Sequence, residues 1–201
     1  MKKLIVAFSV VLLVGCRSWS PMVMQDPPSP IEPTLPALQL YAGNEYTAEF
    51  VGESEFRLFM EEMESNIMNP YGEKFGSVFY SSRILEQKDG LGFLIASGMT
   101  LYFFNVLGMP FQVVSRIVEV ELRIVDLQGR LLAKYKGRDK GSAVVGLYYG
   151  YSFADAYNKA QLEAAYGALK QIRPQIADDA AKLRKVLFAC EKEIEEEEET
   201  E

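Results

Sequence analysis

The chain has 201 residues, enough for one domain with tails. Hydrophobic residues make up 49% of it, enough for a core, and this excludes a wholly disordered chain. The formal charge of −7 argues against a nucleic-acid-binding protein. The sequence has no histidine, which excludes Ser-His-Asp and Cys-His hydrolases and removes the commonest zinc ligand. With only two cysteines there is no disulfide scaffold or Cys-rich site, so we expect neither a metal nor a cofactor.

The N-terminus has the pattern of an export signal. A basic start, Met1–Lys3, precedes the apolar run Leu4–Val14, which is too short for a permanent membrane helix and is typical of a secretory signal. The residues Leu13-Val14-Gly15-Cys16 resemble the lipobox of bacterial lipoproteins. This resemblance implies that residues 1–15 are removed as a signal peptide and that Cys16 carries the lipid. A plain signal peptide with an unrelated cysteine is the alternative.

The residues after Cys16 indicate which membrane the protein is attached to and how far its domain extends from the anchor. Arg17 stands where, by resemblance to enterobacterial lipoproteins, an aspartate signals inner-membrane retention. We therefore expect a lipid-anchored protein at the periplasmic face of the outer membrane, with surface exposure as the alternative. Residues 17–37 hold six of the nine prolines, which favour extended backbone, so residues 16–37 are predicted to be a spacer.

The C-terminus is strongly acidic. Glu191–Glu201 holds eight glutamates and one lysine, whereas the residues between the spacer and this tail are nearly neutral. We expect a solvated tail, and the alternatives are attraction of a basic partner or loose cation binding. We predict an α+β domain over residues 38–174, followed by a C-terminal helix and acidic tail over residues 175–201.

Hydrophobic periodicity predicts the elements of the first half of the domain. Leu38–Tyr41 is a short strand. Glu53–Met68 is an amphipathic helix that ends at Asn69-Pro70, because its apolar residues recur at steps of three to four. Phe75–Leu85 is a second strand, since apolar residues alternate along it.

A β-hairpin follows. Val118, Val120, Leu122 and Ile124 alternate with charged residues within Arg116–Asp126, and a turn at Asp126–Gly129 leads to a returning strand. One face of this hairpin is expected to be exposed to solvent. The whole pattern predicts an antiparallel or mixed sheet of about four strands with helices packed on it.

Two helices are expected at the C-terminal end. Ser152 and Asp155 form a capping box for an alanine-rich helix that Pro174 is predicted to end. A last helix begins near Ile176, with a heptad-like stripe that packs on the domain or on a partner helix or second copy. The stripe comprises Ile176, Ala180, Leu183, Leu187, Cys190 and Ile194, and we expect an inert, buried thiol at Cys190.

The segment Leu91–Ser115 contains no charged residue. Three readings stay open: a helix and turn covering the sheet, a segment that dips into the lipid interface, or a transmembrane span that glycines and Pro110 interrupt. The candidate membrane or partner contacts are Phe93, Leu94, Leu101, Tyr102, Phe103, Phe104 and Leu107.

Three tyrosines, Tyr148, Tyr149 and Tyr151, lie just before the capped helix. They either contact a glycan or protein partner or pack the junction between hairpin and helix. Gly137–Ser142 lacks the spacing of a phosphate-binding loop and follows a hairpin, so no nucleotide is expected there. The carboxylate pairs Glu61/Glu62 and Asp178/Asp179 are predicted to lie on exposed helix positions, and we expect no catalytic residue.

Leu107–Phe111, the Glu119–Lys134 hairpin and Leu147–Tyr151 before an alanine-rich helix are similar to a group of uncharacterised lipoproteins of Bacteroidota-type bacteria. The order of elements is distantly similar to the domains of the curli-secretion lipoprotein and of lipoprotein activators of peptidoglycan synthases. Together these features predict a non-enzymatic envelope lipoprotein that binds a protein or glycan partner or assists assembly, with a homo-oligomer possible. The alternatives are an enzyme acting on envelope glycan or lipid, and an oligomeric membrane-inserting component.

Overall fold

The computed structural model describes residues 29–43, 52–99, 103–149 and 151–198. Its strands and helices form an α+β fold, which confirms the predicted class. The strands are β1 (Gln39–Ala42), β2 (Ser77–Asp89), β3 (Gln112–Val125) and β4 (Leu131–Val145). The helices are α1 (Glu53–Glu62), continued by a π-helical turn (Met63–Ile67), α2 (Leu91–Met99), α3 (Phe103–Val106) and α4 (Phe153–Glu198).

The four strands form one mixed sheet in the order β1-β2-β3-β4. β1 runs parallel to β2, with Gln39 opposite Ser77, whereas β2, β3 and β4 are successively antiparallel. We call the end of the sheet where β2 begins the proximal end and the end where β2 finishes, at Asp89, the distal end. β2 has 13 residues, so the two ends lie about 40 Å apart at roughly 3.3 Å per residue.

The predicted hairpin is confirmed. Val118, Val120, Leu122 and Ile124 are all fully buried on the face that carries α1 and α4. The opposite face stays wet: Glu121 of β3 pairs with Lys134 and Lys136 of β4 at 2.6 and 3.1 Å. The polar residues between the apolar ones are thus satisfied across the strands, as expected for a sheet packed on one side.

Asp126 holds the turn of the hairpin together. Its carboxylate accepts the backbone N–H groups of Gln128 (3.0 Å) and Arg130 (2.7 Å) and the Arg130 Nε (2.6 Å). Burial raises the pKa of this carboxyl. The Arg130 guanidinium and the backbone donors together lower the pKa by more than burial raises it, so the pKa lies below its ordinary value.

We expect Asp126→Asn to lower the free energy of unfolding by about 2 kcal/mol at pH 7, because a charge-assisted bond to Arg130 is lost. The folded-state pKa is depressed, so the stabilisation is present above the unfolded-state pKa of about 3.9 and is lost as pH falls through the lower folded value. Urea unfolding of both proteins at pH 7, 5 and 3 measures this. A difference that grew towards pH 3 would contradict it.

One continuous helix, α4, replaces the two helices that the sequence predicts, and Pro174 lies inside it. A proline in a helix removes one hydrogen bond and normally ends the helix. Here Ile172 and Ile176, on either side of it, are both fully buried in the same core. Continuing the helix buries both, and this packing outweighs the local preference of proline.

The stripe on the second half of α4 packs on the chain's own domain. Ile176, Ala180, Leu183 and Leu187 belong to the main core with residues of β2 and β3. This favours the prediction of packing on the domain's flank over a partner helix. The side chains of Cys190 and Ile194 lie outside the part of the chain that the structure describes.

Small residues bring α4 unusually close to β4. A Cβ added at Gly137 or Gly141 would overlap the backbone oxygen of Ala168 or Ala160, respectively. The alanines on this face of α4, Ala160, Ala164 and Ala168, are all fully buried. The glycines of Gly137–Ser142 therefore serve helix–sheet packing, which agrees with the absence of a phosphate-binding pattern.

Side chains also cover the outer edge of β4, which pairs with no further strand among the described residues. Gln171 Nε2 donates to the Arg138 oxygen (2.9 Å) and Gln175 Nε2 donates to the Lys136 oxygen (3.1 Å). Glu163 Oε2 accepts the Ser142 N–H at 3.1 Å. Backbone groups of the edge strand that would otherwise face solvent are thus bonded to α4.

The folded part begins earlier than the proline content indicates. Ile31, Leu35 and Ala37 are buried, and Leu35 bridges to Met68 beyond the π-helical turn. Residues 29–37 therefore pack on the proximal end of the domain, where the backbone N–H of Ile31 donates to the Asn66 oxygen at 2.8 Å. Only the residues between Cys16 and Ser29 are left as a candidate spacer.

Candidate functional site: an apolar ridge and a polar cleft

The distal end of the sheet carries exposed apolar side chains. α2 and α3 follow β2, and a turn at Gly108 (φ +104°) returns the chain to β3. Met99 is 83% exposed, Leu107 70%, Ile95 64% and Phe103 63%. We call this group, together with Phe104 and Val106, the apolar ridge. Such a group of large apolar side chains open to solvent marks a contact surface.

The ridge is fixed in place by two of the tyrosines singled out in the sequence. Tyr148 donates its hydroxyl to the Val106 oxygen at 2.6 Å, and Tyr149 donates to the Gly108 oxygen at 3.1 Å. Both tyrosines are still partly exposed, Tyr148 by 50% and Tyr149 by 42%. Asn105, which is fully buried, donates its Nδ2 to the Met109 oxygen at 2.9 Å and closes the same turn. The apolar side chains are thus presented from a backbone that is pinned at three points.

Replacing both tyrosines, Tyr148→Phe with Tyr149→Phe, is expected to speed amide hydrogen exchange in residues 103–109 by about thirtyfold. Each lost hydrogen bond contributes about 1 kcal/mol to holding this turn. Hydrogen-exchange mass spectrometry measures the rate, with the exposed Tyr71→Phe as the matched control. Unchanged exchange in these residues would contradict the role assigned to the two hydroxyls.

The predicted contact residues fall into three groups. Phe103, Phe104 and Leu107 lie on the exposed ridge. Leu101 and Tyr102 lie outside the described residues, and the side chains of Phe93 and Leu94 do so as well. The reading in which this segment is covered by the sheet is wrong for every large apolar side chain of α2 and α3 that the structure describes. The two core clusters of the sheet pack with α1 and α4 and include no described residue of α2 or α3.

Tyr151 lies apart from the other two tyrosines. It is partly buried against a second small core that includes Ala156 and Ala160, and the Lys159 ammonium lies 5.2 Å from its ring centroid. Ser152 starts α4 as predicted: its Oγ accepts the Asp155 N–H at 3.2 Å and donates to the Asp155 carboxylate at 2.6 Å. Tyr151 therefore packs the junction of hairpin and helix.

A polar cleft of about 540 Å³ opens between α1, α4 and the sheet. Gln161 links two charged residues in it: its Oε1 accepts from Arg116 Nη1 at 2.6 Å and its Nε2 donates to Glu55 at 2.8 Å. The guanidinium of Arg116 also bonds to Gln87 Oε1 at 3.0 and 3.2 Å and lies 5.0 Å from the Tyr157 ring centroid. The cleft is a preorganised network in which each charged group has polar partners.

Glu55 and Tyr80 form the floor of this network. Glu55 is 2% exposed and its second carboxylate oxygen accepts the Tyr80 hydroxyl at 2.6 Å. Burial first, and then the charge and hydrogen bond of Glu55, raise the pKa of the Tyr80 hydroxyl well above its ordinary value. Tyr80 is therefore a hydrogen-bond donor at neutral pH and does not act as a base.

Glu62 departs from its predicted exposed position. It is buried and paired with Arg173 of α4, whose Nε donates to Glu62 Oε1 at 2.6 Å, while Asn66 Nδ2 donates to Glu62 Oε2 at 2.9 Å. The sequence contains a signal for the burial of Glu62, because Glu55, Glu62 and Asn66 share one helix face with the buried Phe59 and Met63. Asp178 and Asp179 are exposed as predicted, and Asp179 accepts the Tyr135 hydroxyl at 3.0 Å.

The described residues contain no cluster of acidic, cysteine or histidine side chains that could hold a metal ion. Among the helices in that part of the chain, none has both the length and the apolar character that a bilayer crossing requires. Cys16 lies outside the described residues, so its lipidation stays a prediction.

Comparisons with known proteins find a distant structural similarity. No protein-family model and no curated protein matches the chain. Among solved structures, it is similar to a "putative lipoprotein" from Caulobacter crescentus CB15, with 13% sequence identity and a TM-score of 0.42. The match covers 72% of this chain and 90% of that one.

Proposed function

We propose that the protein is a lipid-anchored component of the cell envelope, at the periplasmic face of the outer membrane, with a binding or assembly role and no enzymatic activity. The lipobox-like residues Leu13–Cys16 support the anchor, and Arg17 supports the outer membrane. The observation that carries the binding role is the apolar ridge, which Tyr148 and Tyr149 hold in a fixed conformation. A fixed apolar surface needs little ordering when it meets a partner, so less of the binding free energy is lost.

The anchor is tested on the protein purified from its own membranes. Mass spectrometry of the N-terminal peptide is expected to find an acylated Cys16 as the first residue, and membrane fractionation is expected to place the protein with the outer membrane. An intact Met1, or an unmodified N-terminal residue, would overturn the lipoprotein assignment.

The binding role is tested by photo-crosslinking in intact cells. A photoreactive amino acid in place of Leu107, on the ridge, is expected to give reproducible adducts with an envelope component. The same amino acid in place of Tyr71, which is 83% exposed at the proximal end, is the matched control. Equal adduct yields at the two positions would show that the ridge is not a specific contact surface.

The polar cleft is the specific observation that favours the runner-up, an enzyme acting on envelope glycan or lipid. It joins a buried carboxylate, Glu55, to an arginine, Arg116, beside a cavity of about 540 Å³. This proposal predicts that isolated peptidoglycan or phospholipid releases a product with the intact protein and none with Glu55→Gln. Products that persist in the variant, or that never form, would remove it.

A further inference from the structure

The ridge segment at one end of the domain is uncharged, whereas the C-terminus that follows the other end is rich in glutamate. The distal end carries the apolar ridge, within a 25-residue segment that has no charged residue. α4 begins at that end, passes Gly141 at Ala160, and reaches the proximal end where Phe188 packs on Phe75 at 4.7 Å between ring centroids. The helix continues beyond this contact into the glutamate-rich C-terminus. An anionic lipid surface would repel the proximal end and accept the distal one.

The candidate anchor is attached at the acidic, proximal end. The described chain starts at Ser29 and packs through Ile31 and Leu35 beside the π-helical turn and the start of β2. Cys16 lies 13 residues before Ser29. At about 3.1 to 3.4 Å per residue of extended chain, these residues span roughly 40 to 45 Å. That length matches the roughly 40 Å between the two ends of the sheet.

We propose that the apolar ridge inserts into the interface of the bilayer that holds the acyl chains, so that the domain rests on its distal end with its acidic end pointing away. This rests on the proposed lipid anchor at Cys16. The reach of about 40 to 45 Å that the 13 residues from Cys16 to Ser29 provide is long enough for the acyl chains and the ridge to share one bilayer. The contact is with a lipid surface, because the ridge offers large apolar side chains and the surrounding segment offers no charge for a specific ion pair.

The test uses the full acylated protein in vesicles of phosphatidylethanolamine and phosphatidylglycerol that carry nitroxide-labelled acyl chains. The chain has one tryptophan, Trp19, so Trp19→Phe combined with Phe103→Trp gives one fluorescent probe on the ridge. Trp19→Phe combined with Tyr71→Trp gives a matched probe at the proximal end. We expect the probe at position 103 to be quenched at least threefold more strongly than the probe at position 71, and the difference to persist in 1 M salt.

Adding Leu107→Asp to the ridge probe is expected to remove most of this excess quenching, while co-sedimentation with the vesicles is unchanged because the acyl chains remain. Equal quenching at positions 103 and 71 in vesicle-bound protein would overturn the inference and leave the anchor intact. A ridge probe that is shielded from water but unquenched by lipid would also overturn it, in favour of contact between two copies. Failure of the protein to co-sediment would instead count against the proposed anchor.

Discussion

Arg173→Ala is expected to lower the free energy of unfolding by about 3 kcal/mol. The variant leaves the carboxylate of Glu62, 5% exposed, without the guanidinium that neutralises it, and a buried unpaired charge is strongly destabilising. Urea unfolding followed by circular dichroism measures the loss. Arg57→Ala removes an arginine from an exposed pair with Glu53 and is expected to change stability by less than about 0.5 kcal/mol.

The double variant Glu62→Leu with Arg173→Leu separates the ion pair from the packing around it. Since both charges are removed together, the double variant is expected to be more stable than Arg173→Ala and to recover most of the loss. If the double variant were no better than the single one, the unpaired charge of Glu62 would not be the cause of the loss in Arg173→Ala.

Gly141→Val is expected to destabilise the domain by about 3 kcal/mol, because a Cβ at this position would overlap the Ala160 oxygen and lie 2.8 Å from the Ala164 nitrogen. The clash is with helix backbone, which cannot turn aside as a side chain can. The same unfolding measurement applies. Gly98→Ala is the matched control: apart from its own helix, no atom of the described residues lies within 4 Å of the added Cβ, and alanine favours the helix by up to about 1 kcal/mol.

A result in which Gly141→Val and Gly98→Ala were equally stable would show that α4 can move away from β4 at little cost. The close approach of the glycines to the alanine face would then be incidental to the fold.

The sheet was predictable because its strands carry their own pattern. Alternation along Val118–Ile124 and the Asp126–Gly129 turn specify a hairpin without any knowledge of distant residues, and the buried positions match the predicted ones. The path of α4 through Pro174 was not predictable in this way. Its continuity depends on the buried Ile172 and Ile176, whose contacts are with strands distant in the sequence.

The candidate site was predicted only in part. Phe103 and Leu107 were singled out because an uncharged segment is conspicuous in a sequence, but their exposure depends on α1 and α4, which pack on the core of the sheet. The cleft was missed because its polar residues, Glu55, Arg116 and Gln161, are dispersed along the chain and meet only in the fold. The one local signal was the position of Glu55 and Glu62, which fall on the same helix face as apolar residues.

The hydrogen bonds between α4 and the outer edge of β4 matter when many copies of the protein lie side by side. A strand edge with free backbone groups is a template on which a neighbouring molecule can add its own strand, and a shared membrane would concentrate such neighbours in two dimensions. Gln171, Gln175 and Glu163 already occupy backbone groups along this edge. The helix that completes the core therefore also keeps this edge of the sheet from pairing with the strand of a neighbouring molecule.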